Sequence, residues 1–440
     1  MAGLSSPREA ACRDCAGDAP RARRSRRGRV DSPRSLAVRR TPLVSAPGPA
    51  HSAPMPCRRE SPVDIPHRST LEIVIMLRIP RSSFPWLALL AIGLAGPALP
   101  TQAQVGLSEL RLADLPVTLV YPTAAVASPR AMGPFTIEVA KDGAPSPGRH
   151  RLVVMSHGTG GSVGVDHSLA ATLARAGFVV AQPLHAGDNF RDQSQAGPVA
   201  FHQRPIEVSR VIDALAQDPV WSARLDLDRV GVHGMSAGGV TGLALAGAQW
   251  RLLDLVRHCD QASEADAGFC FQGAKDPDKR AQRLAQFAGT RGVPEVHLPE
   301  VLKTVHGERT PTEAAPDPRP DPRVAAVTLA VPVAAPFTAE SLARVRIPVG
   351  LVRADEDQVL VPRFHADHVL ANCRSCTLLV DLPGAGHFDV LWPWPPAVAR
   401  QVAEGQVRGG EVNPAFDPAL RQAAHDRIAA FHRQHLGVAP

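Results

Sequence analysis

Short apolar runs alternate with amphipathic ones along most of this chain, and that alternation is its first structural signal. Leu115–Tyr121 and Phe135–Ala140 read as a leading pair of strands, and Arg151–Ser156 as a buried one. His167–Gly177 has helical spacing, and Phe178–Pro183 reads as a strand. Ile206–Gln217 sets Ile206, Val208, Val211, Ile212 and Leu215 on one side of a helix. A strand at Arg229–His233 then runs into a helix at Gly239–Ala246. Further strands follow at Ala325–Val333, Val349–Val352 and Thr377–Leu382, and a terminal helix at Leu420–Leu436. Repeated strand–helix alternation predicts a mostly parallel sheet with helices on both faces. Between about 250 and 323 the pattern breaks into a charged helical run, Lys275–Phe287, and a proline-rich connector, Pro311–Pro322. That stretch reads as a cap inserted into the sheet order.

The first hundred residues follow other rules. Residues 1–75 are rich in Arg, Pro, Ser and Ala and lack hydrophobic periodicity. From Met76 come two arginines, the apolar run Phe84–Gly96, and small residues at Thr101-Gln102-Ala103. Basic start, short apolar core and small residues are the parts of a secretory signal peptide. The apolar run is short for a membrane span and is broken by Pro85 and Pro97, so cleavage near Ala103 is expected over anchoring. The chain therefore divides into an unstructured or wrongly included leader (1–75), a signal peptide (76–103) and one domain (104–440), destined for the periplasm or beyond.

This division changes the meaning of the charge. The net charge is +6, but residues 1–75 carry fourteen arginines against seven acids, and Arg78 and Arg81 add to the excess. What remains is slightly acidic. The basic leader has no interleaved aromatics and no fold around it, so no nucleic-acid partner is expected. Four cysteines fall in the domain, and in an exported chain they suggest two disulfides, most simply Cys259–Cys270 and Cys373–Cys376.

The strongest candidate chemistry is Gly234-Met235-Ser236-Ala237-Gly238, between a strand and a helix. A serine at a sharp strand-to-helix turn needs small residues two positions to either side, because the bend brings backbone close. Its hydroxyl is a weak nucleophile at neutral pH and needs a base, which in turn needs an orienting acid. Both belong on loops at the carboxyl ends of later strands, acid first. Asp355, Glu356 and Asp357 follow one such strand, with Asp357 favoured because the chain turns back there toward Pro362. His387, flanked by Gly384 and Gly386 and by Phe388, follows the next.

Acyl transfer also needs donors for the developing oxyanion. The amide of Ala237 is one candidate. The other lies in the loop Ser156-His157-Gly158-Thr159-Gly160-Gly161-Ser162, with Thr159 chosen and His157 read as a structural hydrogen bonder. That loop lacks the spacing and the Gly-Lys-Ser/Thr ending of a phosphate-binding loop. His185–Asn189 either shapes the pocket or is a loop held by its own side chains, and Arg204 and Asp213 read as structural. Trp392–Pro396 either walls an acyl pocket or packs in the interior, and His233 reads as a packed strand histidine. No Asp, Glu or His cluster has metal-ligand spacing, and no cofactor is expected.

Taken together, HGTGGS, FVVAQPLHAGDN, RVGVHGMSAGG, DEDQVLVP and PGAGHFDVL resemble the secreted α/β-hydrolases known as predicted dienelactone hydrolases, relatives of the platelet-activating-factor acetylhydrolases. The resemblance runs from about Leu115 to Pro396. It implies an α/β-hydrolase fold with Ser236 as nucleophile, His387 as base and Asp357 as acid, and with Thr159 and Ala237 lining the oxyanion hole. A small-molecule or lipid ester would be the substrate. True dienelactone hydrolases use cysteine where this chain has Ser236, so lactone specificity does not carry over. Amide hydrolysis or acyl transfer on the same triad, or a non-catalytic binding role, are the alternatives.

If the leader reading is right, amino-terminal sequencing of the exported protein starts at or near Gln104. Recovery of any residue before Met76 would overturn it.

Overall fold

A computed structural model describes residues 104–112, 115–288, 320–407 and 409–438. The leader and signal peptide expected from the sequence, and most of the proline-rich connector, lie outside the described residues.

The described chain builds one ten-stranded sheet in the order β10-β9-β8-β7-β5-β6-β2-β1-β4-β3. Its strands are β1 (Gln104–Leu112), β2 (Leu115–Thr123), β3 (Ser128–Met132), β4 (Phe135–Lys141), β5 (His150–Ser156), β6 (Val179–Pro183), β7 (Leu225–Met235), β8 (Val324–Ala330), β9 (Val349–Ala354) and β10 (Cys376–Leu382). From β10 through β6 every neighbouring pair is parallel, while β2 runs antiparallel to β6 and to β1. The helices are α1 (His167–Arg175), α2 (Pro198–Gln217), α3 (Gly238–Leu245), α4 (Leu252–Ala262), α5 (Ala267–Cys270), α6 (Pro277–Ala288), α7 (Ala339–Leu342), α8 (Ala366–Asn372), α9 (Pro396–Ala403) and α10 (Pro418–Leu436).

Parallel strands need crossovers, and the crossovers cover both faces. One apolar cluster joins α1 and α10 to one side of the sheet through Leu169, Leu173, Ile428 and Phe431. A second joins α2, α3 and α8 to the other side through Val208, Val211, Ile212, Val240, Leu243 and Val369. This is the α/β-hydrolase fold expected from the sequence. After β5 the chain crosses to β6 on one side, then returns to place β7 on the other. The loops leaving the carboxyl ends of β5 and β7 therefore stand side by side where the strand order reverses, the place where such sheets bind ligands.

Three elements depart from the sequence reading. The expected leading pair, β2 and β4, is not a pair: β1 lies between them, antiparallel to β2 and parallel to β4. β3 pairs with β4 at the sheet edge, where its residues are mostly exposed and carry little apolar signal. Helix α2 begins at Pro198, two turns before Ile206, and runs through Pro205. A proline inside a helix removes one backbone donor and usually ends it, which is why the pattern reads as starting just after that residue.

The disulfides are Cys259–Cys270 and Cys373–Cys376, as the spacing suggested. The first ties α4 to the end of α5, within the interruption between α3 and β8. Among the described residues no helix is long and apolar enough to cross a membrane.

Under β7 and β8, Thr328 Oγ1 lies 2.9 Å from both His233 Nδ1 and His432 Nε2, linking the sheet to α10. Burial pushes both imidazoles down to about 3, and His425 on the same helix to about 4. An imidazole kept neutral by the fold but free to protonate when unfolded, near 6.5, stabilises the protein above that value and loses its contribution as pH falls. Asp166, raised to about 7 by burial, acts oppositely and weakens the fold as pH rises from about 4 toward 7. Three imidazoles outweigh one carboxyl. The thermal unfolding midpoint is therefore expected to fall between about pH 6.5 and pH 4; a midpoint that is level or higher at the acid end would contradict this account.

Candidate active site

β7 ends at Met235 and α3 starts at Gly238, so Ser236 and Ala237 form the whole turn. Ser236 has φ 54°, a left-handed conformation that costs a non-glycine residue about 1–2 kcal/mol. Three backbone bonds hold it there: its amide donates to Ala330 O at 3.1 Å, and its carbonyl accepts from Val333 N at 2.9 Å and Gly239 N at 2.8 Å. The bend is tight. A Cβ on Gly238 would lie 1.9 Å from Ser156 O, and one on Gly234 would lie 2.1 Å from Gly238 O. Those contacts are why only glycine suits either position.

Three side chains from three loops meet at this turn. His387 Nε2 lies 3.0 Å from Ser236 Oγ, and His387 Nδ1 lies 2.7 Å from Asp357 Oδ2. Asp357 is buried, and its other oxygen accepts from the amides of Val359 and Leu360, both at 2.8 Å. Asp355 and Glu356 are exposed, and their amides instead tie this loop to the next strand's loop through Leu382 O and Ala385 O. Of the three acids left open by the sequence, Asp357 is the one brought to His387.

The histidine loop has a support that the sequence reading missed. Asp389 is fully buried, and its Oδ2 accepts from Gly386 N at 2.8 Å and Asn413 N at 3.0 Å. Arg421 from α10 donates to its carbonyl at 2.6 Å. An aspartate two residues past a loop histidine is a turn-stabilising signal and could have been read as one.

The glycine loop after β5 closes on the serine. Gly161 N donates to Gly158 O at 3.1 Å across a turn whose third residue, Gly160, has φ 62°. A Cβ on Gly158 would lie 3.8 Å from Ser236 Oγ. Thr159 is at the exposed tip of this turn, and Ala237 is buried directly after the serine.

Behind the loop sits a buried polar cluster. Arg204, from α2, is fully buried and pairs with the equally buried Asp188 at 2.7 Å. Arg204 thus reaches well beyond an ordinary helix contact, whereas Asp213 sits at the surface in an ion pair with Arg323 at 2.6 Å. His185 lies 2.8 Å from Ser156 Oγ and 2.6 Å from Glu207 Oε2. His157 accepts from His185 N, as a structural hydrogen bonder would. Burial, followed by the nearby Arg204 charge, drives both imidazoles well below the usual histidine range.

Serine, histidine and acid are therefore aligned twice, once at Ser236–His387–Asp357 and once at Ser156–His185–Glu207. Exposure separates them. Ser156 is 1% exposed within a strand, whereas Ser236 is only partly covered at the crevice. Of the two serines, Ser236 is the one with access to solvent.

The interruption between α3 and β8 supports the acid loop. Asp266, just before α5, lies 2.8 Å from His258 Nε2 and 2.9 Å from His365 Nε2, and accepts from Val361 N at 3.3 Å. Burial alone would raise its carboxyl, but those two histidine contacts hold it down to about 2. His258, Asp266 and Cys270 also fall within metal-binding reach of one another. Cys270 is bonded to Cys259, so its sulfur is not a free thiolate ligand. Trp394 stacks on Phe135 with ring centres 5.2 Å apart, while Trp392 is 43% exposed beside His167. The sequence left this segment open between wall and core; Trp394 is half-buried on Phe135, and Trp392 is an exposed ring on His167.

No protein-family model matches the chain, and no curated protein matches it. Among solved structures, a ferulic acid esterase from Streptomyces cinnamoneus is similar at 20% identity and a TM-score of 0.47, over 79% of this chain and 93% of that one.

The elbow's tolerance can be measured directly. Gly238→Ala puts a methyl group into the Ser156 carbonyl, and overpacking against backbone is expected to cost at least about 1–3 kcal/mol. A variant that is folded and melts with the wild type would show that the two loops are not in contact.

Proposed function

We propose that this chain is a serine hydrolase that cleaves carboxylic esters through an acyl-enzyme. The observation that carries the reading is the bonded series Ser236–His387–Asp357 at the carboxyl edge of the sheet, with the serine reachable and held in a left-handed turn. In this reading Ser236 Oγ attacks the ester carbonyl carbon while its proton passes to His387 Nε2. Asp357 accepts from Nδ1, fixing the imidazole's tautomer and stabilising its charge. The tetrahedral oxyanion takes hydrogen bonds from the amides of Ala237 and Thr159, donors of a kind worth several kcal/mol. His387 then protonates the leaving alcohol as the carbon–oxygen bond breaks. Water repeats the sequence with His387 as base, releasing the acid and restoring Ser236.

The resemblance of the glycine loop, elbow and histidine motif to secreted dienelactone-hydrolase-like proteins supports the same reading, with a small-molecule or lipid ester as substrate. The helices α4 to α6 and the residues that follow them are placed in sequence to act as a cap. Two disulfides fit an exported protein.

Exported protein should hydrolyse short p-nitrophenyl esters and not the matching anilides. A fluorophosphonate probe should modify the peptide containing Ser236 and not the one containing Ser156. Ser236→Ala is expected to lower turnover by about 10⁴-fold or more, and Asp357→Asn by about 10³–10⁴-fold. Asp355→Asn, at an exposed position, should stay within about threefold of wild type. Ester turnover that survives Ser236→Ala, or a probe that leaves Ser236 unmodified, would sink the proposal.

A further inference from the structure

The proposed oxyanion donor at Thr159 is a backbone amide on an exposed loop tip, and a loop amide is useful only if something fixes its direction. A trans peptide is planar, with its carbonyl and its N–H on opposite sides. The Thr159 N–H shares its peptide plane with the Gly158 carbonyl, so whatever holds that carbonyl also aims the amide.

Three donors or ring nitrogens converge on the Gly158 carbonyl: His157 Nδ1 at 2.8 Å, Gly161 N at 3.1 Å and Arg204 Nη2 at 3.3 Å. Arg204 does more than this. Its Nη1 donates to the preceding carbonyl, His157 O, at 2.5 Å, and its Nη2 also donates to Asp188 O at 3.1 Å and Asp188 Oδ2 at 2.7 Å. The other oxygen of Asp188 accepts from Gly160 N at 2.8 Å. One guanidinium and its counter-ion thus reach the backbone of His157, Gly158 and Gly160, on both sides of Thr159. Both are fully buried, where charge-assisted bonds are strong and an unpaired charge is costly.

We propose that Arg204 is a positioning residue for the oxyanion site: paired with Asp188, it draws the His157 and Gly158 carbonyls away from Ser236 and so presents the Thr159 amide to the reacting carbonyl oxygen. The inference rests on the esterase reading above. Guanidinium geometry matters here, because a lysine ammonium is a single point of charge and cannot span three carbonyls and a carboxylate at once.

The test is Arg204→Lys in the exported protein, which keeps the charge and loses the fork. Its kcat on p-nitrophenyl acetate should fall about 10–100-fold with KM within about threefold, because an interaction made in the transition state is lost. The inhibition constant of a trifluoromethyl ketone, whose adduct carries an oxyanion, should rise by a similar factor, while that of the matching methyl ketone stays put. A merely structural role would not separate the two ketones. If Arg204→Lys does not fold, as judged by circular dichroism, the decision passes to the isosteric Asp188→Asn, which removes the counter-ion and should move the same readouts in the same direction. A folded variant with unchanged kcat and ketone discrimination, or with a rise in KM alone, overturns the proposal. Failure of the parent reading looks different, since wild-type protein would then turn over no ester.

Discussion

The rest of the site depends on one close approach of backbone to backbone. The loop leaving β5 and the turn leaving β7 meet at Ser156 O and Gly238 Cα, with no room for a side chain between them. The register of the two strands sets that meeting, since Ser156 pairs with Gly234 and the serine stands two residues beyond. Because the contact is between main chains, it is insensitive to rotamer choice. It fixes where a hydroxyl on one loop stands relative to amides on the other, which side-chain packing alone would leave loose.

Alignment of serine, histidine and acid does not by itself identify a nucleophile, as the two series in this structure show. Their hydrogen-bond lengths are comparable, so distance does not tell them apart. Burial does, because the inner series lies between the sheet and α2 and helps tie β5 and β6 to that helix. The outer series stands at the crevice. Charges divide along the same line: the inner set carries a desolvated Arg204–Asp188 pair whose value lies in what it orients, since a buried ion pair adds little net stability of its own.

Much of the fold was legible because strands β5 to β9 are parallel and largely covered on both faces, so they read as plain apolar runs. β1 was missed because its exposure changes along its length and it begins at the expected cleavage point. The first two turns of α2 were hidden by Pro205, a local rule that tertiary packing overrode. Ser236 and His387 announced themselves through their glycines. Asp357 could only be favoured over its two neighbours, because which of three consecutive acids turns inward is decided by amides at Val359 and Leu360. That Arg204 and Asp188 are buried together as a pair gave almost no signal, since the burial of a charged residue depends on partners distant along the chain.

Ser236 and its histidine are 151 residues apart, and the histidine follows β10, the outermost strand on its side of the sheet, which joins only β9. A chain that ends before β10 therefore lacks the partner that lies 3.0 Å from Ser236 Oγ. The hydrogen-bonded series Ser236–His387–Asp357 is complete only when the last strand is laid down. The arrangement around Ser236 is therefore a property of the completed sheet and of no shorter stretch of it.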